Sequence, residues 1–167
     1  FSAKWASLSD SQVNEGIRDP IKVYEYMNKF YVLEGNKRVS VLKYFKAVTV
    51  NAQVIRKIPK KSDDPDVKIY YEFMDFYKAT KLNDIYFSKE GSFTTLMDLV
   101  GIEPGKLMDE DAKKDLVSSY LNFRTAYESR GGDRFDFPVG DAYLRFIHIH
   151  GYDNVKHMTS DEMDKNV

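Results

Sequence analysis

Phe30-Tyr31-Val32-Leu33-Glu34-Gly35-Asn36-Lys37-Arg38-Val39-Ser40-Val41-Leu42-Lys43-Tyr44-Phe45 is an apolar strand that breaks at an acidic-glycine pair and restarts as a basic amphipathic helix. Such a junction is built to hold an anion. Glycine lets the backbone turn tightly, and the first amides of the new helix have no intrahelical acceptors. Lys37 and Arg38 add full positive charge to the partial charge of the helix N-terminus, so a phosphate is the natural guest.

Working outward, Asp19-Pro20 ends any preceding helix, and Ile21-Lys22-Val23-Tyr24-Glu25-Tyr26 alternates as a half-buried strand does. Asn28-Lys29 reads as the turn of a hairpin whose return strand is Phe30 to Leu33. The helix from about Asn36 to Phe45 is expected to bury Val39, Leu42 and the apolar part of Lys43 or Phe45. Ala47 to Ile58 is extended again, with Pro59 closing it. Before the hairpin, Ser2 to Asn14 has loosely helical spacing, with Gly16 at the position of a C-terminal cap. The chain opens at Phe1 without a Met, in a helix already under way, and is expected to be a fragment lacking the first strand of its domain.

Lys60 to Asp66 is charged and nearly free of apolar groups, which places a domain boundary there and divides the chain into 1–61 and 62–167. Helical patterns dominate after it. They cover Val67 to Lys78, Phe93 to Val100 with Gly101 as cap, Asp109 to Arg130, and Val139 to His150 with Gly151 as stop. Thr159-Ser160-Asp161-Glu162 is a capping box. The aromatic stripes on these helices are assigned to the core. The fold class expected is α+β, a small sheet followed by an all-helical extension.

At 167 residues, the chain can bury about 70% of the surface it exposes when unfolded. It has no cysteine, which excludes thiol catalysis, disulfides and Cys-based zinc sites. The expected location is the cytoplasm, with no membrane partner, since no apolar run approaches the roughly 20 residues of a membrane span. A net charge of −1 hides a division. Residues 22–61 hold ten Lys and Arg against two Glu, a balance of +8, whereas residues 62–167 hold 13 basic and 21 acidic side chains. The basic segment concentrates anions, and the acidic remainder opposes nonspecific nucleic-acid binding, so a small anion fits better than a long one.

Two spaced motifs carry a family resemblance. Gly16-Ile17-Arg18-Asp19-Pro20-Ile21-Lys22-Val23, then a hairpin strand, Glu34-Gly35-Asn36-Lys37-Arg38, a short helix and another strand, resembles the ParB/sulfiredoxin-like fold over about residues 7 to 59. The resemblance implies that residues 1–61 form a nucleotide-binding core, with Gly35 as the phosphate-turn glycine, Arg38 as the phosphate-binding arginine and Pro20 in the strand beside the ligand. The ligand it implies is ATP, ADP or CTP, with Mg²⁺ beside the phosphate. Sulfiredoxins need a cysteine where this chain has Asn36, which excludes their repair chemistry. Partition proteins complete a CTP site with a second Glu-Asn-x-x-Arg motif, and Asn122-Phe123-Arg124 has the wrong spacing for it. Free-serine kinases of this fold also need a carboxylate near their beginning.

Individual residues keep more than one reading. Glu34 is the one catalytic candidate, able to act as base, coordinate Mg²⁺, orient Arg38, or simply cap the helix electrostatically. Arg38 grips phosphate bidentately or makes a surface salt bridge. Lys37 points about 100° away from Arg38, so one of the two is in direct contact with the anion, and Arg38 is the better placed. Asn36 lies at the turn itself, and Ser40 offers a hydroxyl one turn on. His148-Ile149-His150 lacks metal-site spacing, and His150 reads as a core or interface histidine; no metal site is assigned. Phe93 to Gly101 and the later helix mimic a helix-turn-helix. The long connection and Asp109-Glu110-Asp111 argue against DNA, leaving nucleic acid the disfavoured partner.

The expectation is therefore a nucleotide-binding regulatory module of a larger protein, with further domains of the same polypeptide as partners. The alternatives are a nucleotide-dependent enzyme, phosphotransferase or nuclease, and a DNA-binding partition-like protein.

Overall fold

Ile21, Val23 and Glu25 turn to one side of a strand and Lys22, Tyr24 and Tyr26 to the other, and the first three are buried. This strand, β1 (Ile21–Tyr26), is central in a three-stranded mixed sheet of order β2-β1-β3. It pairs antiparallel with β2 (Lys29–Glu34) and parallel with β3 (Ala52–Lys57). The computed structural model describes residues 6–7, 19–47 and 49–167. Of the helix expected over Ser2 to Asn14 only Ala6 and Ser7 are described, both helical; the rest, with Gly16, Ile17 and Arg18 of the first motif, lies outside the described residues.

The hairpin turn is Met27-Asn28, one residue earlier than the sequence suggests. Both residues have positive φ, 49° and 62°, the two-residue geometry whose twist matches that of paired strands. Asparagine tolerates this conformation; methionine is held in it by the pairs on either side, Tyr26 with Lys29 and Glu25 with Phe30. After β2 comes helix α1 (Asn36–Tyr44), and the chain then crosses to the opposite edge of the sheet as β3. This last strand is shorter than the extended run predicted from Ala47, and Ala52, Gln53, Val54 and Ile55 are all exposed.

The buried stripe of α1 is Val41 and Leu42, whereas Val39 is half-buried and Lys43 and Phe45 are exposed, which corrects the expected face. Gly35, at the start of the helix, lies against Ile21, and Arg38 folds back toward Pro20. These two contacts fix the rotation of the helix, so positions 38, 41 and 42 face the strand rather than 39 and 43.

A second unit begins at Lys61. Its helices are α2 (Pro65–Thr80), α3 (Ser92–Val100), α4 (Glu110–Ser129), α5 (Val139–His150), α6 (Tyr152–Val155) and α7 (Ser160–Asn166), with a 3-10 turn at Gly132–Arg134. Helix starts follow local chemistry. Asp64 accepts from the Asp66 amide ahead of a first-turn proline, Asp109 accepts from Asp111 and Ala112, and Thr159 and Glu162 form the reciprocal capping box. Two ring clusters fill the interior. Phe93 lies 5.4–5.7 Å from Phe73 and Phe76 and 4.7 Å from Phe87, while Phe123 lies 5.1–5.4 Å from Phe146 and Tyr143. The Tyr143 hydroxyl is 2.8 Å from Ser119 Oγ inside the second cluster, and burial pushes that phenol's pKa upward.

Core assignment of the aromatic stripes thus holds for these helices, whereas the sheet unit leaves several rings exposed. Tyr44 is 70% exposed and Tyr31 53%, and Tyr26 and Phe30 also face solvent.

Candidate functional site

The turn between β2 and α1 has the geometry that its glycine requires. Gly35 sits at φ 104°, and a Cβ there would lie 2.5 Å from Ile21 Cγ2, so both conformation and space demand glycine. It is the N-cap of α1 and has no side chain to accept from the first-turn amides; no residue of that turn is acidic. The first turn, Asn36, Lys37 and Arg38, therefore carries positive partial charge next to two cationic side chains.

Arg38 then joins segments far apart in sequence. Its Nη1 donates to the Pro20 carbonyl at 2.9 Å and the Asp19 carbonyl at 3.1 Å. Pro20, Gly35 and Arg38 are thereby brought together at the entry to β1. The guanidinium has five donors, and this clamp uses one nitrogen. Nε and Nη2 have no bond among the described residues. Asn36 and Ser40 are exposed, and Lys37 is half-buried.

Glu34 is not a cap. It stands opposite Lys22 across the hairpin, beside an irregularity in the pairing, and its carboxylate meets Lys22 Nζ at 2.9 Å. That hydrogen bond and charge, with Arg38 contributing less, hold the Glu34 carboxyl below the usual range. A carboxylate so held is a weak proton acceptor and a good neighbour for a cation. Its lowered value means that the pair stabilises the folded state above the unfolded-state pKa of glutamate, and that this contribution is lost as pH falls through the lower folded value. In an NMR titration the Glu34 midpoint is expected below that of an exposed glutamate, and Lys22→Ala should raise it. Coincident midpoints in the two proteins would show that no such pair forms.

One charged pair escaped sequence reasoning. Glu25 is fully buried, with Oε2 2.6 Å from Arg56 Nε on β3 and Oε1 accepting from the Asn28 amide at 2.7 Å. The signal was present in the alternation, since Glu25 falls on the same side of β1 as Ile21 and Val23. In the helical unit, His150 is half-buried with its ring 4.3 Å from that of Phe146, and His148 is exposed. Among the described residues no three His, Asp or Glu cluster in a way that could hold a metal ion, and no helix is long and apolar enough to cross a membrane. Comparison with protein-family models, curated proteins and solved structures returns no match.

Proposed function

We propose that the Glu34 to Arg38 turn binds the phosphate of a nucleotide, ATP, ADP or CTP, and that the sheet unit is a regulatory module of a larger cytoplasmic protein. The observation that supports this reading best is the joining of Pro20, Gly35 and Arg38. The three residues that the ParB/sulfiredoxin-like resemblance links to a phosphate meet at one helix start, with an obligatory glycine and guanidinium nitrogens left for an anion. The basic balance of residues 22–61 raises the local concentration of such a ligand. Glu34, held ionised, suits a Mg²⁺ ion carried mainly by nucleotide oxygens and water. The module reading is preferred to the enzymatic one because Glu34, paired with Lys22 and held ionised, is a weak proton acceptor.

Thermal unfolding of the wild type and Arg38→Ala with ATP, ADP, CTP, GTP or sulfate, with and without Mg²⁺, tests the reading. Because Arg38 also clamps Asp19 and Pro20, each protein is compared with its own unliganded midpoint. Stabilisation by one nucleotide, at least tenfold weaker in apparent affinity for Arg38→Ala, is expected. Equal weak shifts with every anion, unchanged in the variant, would reduce the turn to an unselective helix end.

A further inference from the structure

The helical unit contains a cavity of about 760 Å³ between α3, α4 and α5, within the size range of small-molecule sites. Its inner wall is aromatic. Phe123 and Tyr127 stack at 5.5 Å with their planes 15° apart, and Phe146 packs beside Phe123. Ala142 lines it on the α5 side.

At the mouth the chemistry changes. Lys89, Arg145 and His148 stand around the opening, all exposed, and neither Lys89 nor Arg145 has an ion-pair partner among the described residues. The acid in this lining is Asp141, whose two oxygens are taken by the Ser88 amide at 3.1 Å and the Ser88 hydroxyl at 2.5 Å. It is therefore held against Ser88 and forms no ion pair with Lys89 or Arg145. Ser92 also lines the cavity, in the first turn of α3, a helix whose start has no side-chain cap and no acidic residue. Two large apolar side chains in the same lining, Phe137 and Ile149, are exposed. A guest with an apolar body would cover them.

We propose that this cavity is a binding site for a small amphipathic anion, a flat aromatic body bearing one carboxylate. The ring system lies against Phe123, Tyr127 and Phe146, and the carboxylate meets Arg145 and Lys89. Arginine supplies the planar fork that matches a carboxylate, which gives the site a preference for charge as well as shape.

The probe is 8-anilinonaphthalene-1-sulfonate, a fluorescent aromatic anion, titrated into the full chain and then displaced by 1-naphthoate or by the uncharged 1-naphthalenemethanol. Saturable binding is expected, with naphthoate displacing the dye at about tenfold lower concentration than the alcohol. Arg145→Gln should erase that preference. Ala142→Phe, which fills the cavity, should weaken dye binding by about tenfold or more. Equal displacement by acid and alcohol in the wild type would overturn the proposal, as would a dye titration unaffected by Ala142→Phe. If Ala142→Phe does not fold, the Arg145→Gln comparison decides alone, since that side chain is exposed and its replacement disturbs no packing.

Discussion

Gly140→Ala is expected to cost the helical unit about 3 kcal/mol and to lower its unfolding midpoint by roughly 15 °C. Gly140 lies in the first turn of α5, where a Cβ would stand 2.1 Å from the Tyr86 carbonyl oxygen and 3.1 Å from its carbon, with the Phe87 ring at 3.2 Å. The obstacle is backbone, which cannot rotate aside as a long side chain can. Relief requires moving either α5 or the segment that leads to Ser88. Both carry the Ser88 to Asp141 hydrogen bonds, so the methyl also strains that link. Gly105→Ala is the control. Nothing lies within 4 Å of a Cβ there, and the left-handed backbone alone, φ 79°, should cost only about 1 to 2 kcal/mol. Calorimetry of both variants separates a clash from a conformational penalty, and similar midpoints would disprove the close approach.

Glu25→Ala is expected to destabilise the sheet unit by about 3 to 5 kcal/mol, because it removes the buried carboxylate that pairs with Arg56 and accepts from the Asn28 amide. The loss should appear as collapse of amide-exchange protection in β1 and β3. Removing both charges tells a different story. Glu25→Leu combined with Arg56→Met should recover much of the loss, since a well-packed apolar pair avoids desolvating two ions. Glu25→Gln should fall between, keeping an acceptor for Asn28 but losing the charge. A Glu25→Ala variant with wild-type protection would mean that the pair is not buried in solution.

Much of this fold was legible because its signals are local. The alternation from Ile21 to Tyr26, the glycine before Asn36, and the stop residues Gly101 and Gly151 act through backbone preferences that need no knowledge of the rest of the chain. The α+β class followed from them. What local pattern could not supply was direction. The rotation of α1 depends on Gly35 meeting Ile21 and Arg38 meeting Pro20, contacts between segments that only the folded chain brings together. Exposure of Tyr31 and Tyr44 is likewise a property of the assembled unit rather than of any local pattern. Candidate-site residues were legible for the same reason as the elements, since a turn glycine and first-turn cations are adjacent in sequence. The Lys22 to Glu34 pair and the Glu25 to Arg56 pair were hidden because each spans two strands.

The buried pair of Glu25 and Arg56 also bears on how β3 assembles. That strand exposes Ala52, Val54 and Ile55, so burial hardly distinguishes one alignment from the next. A slide of two residues along β1 would set Val54 or Ile58 beside Glu25 and separate that buried carboxylate from Arg56. Misassembly is thereby penalised at a single residue, and an edge strand with little hydrophobic guidance has one address at which it can dock.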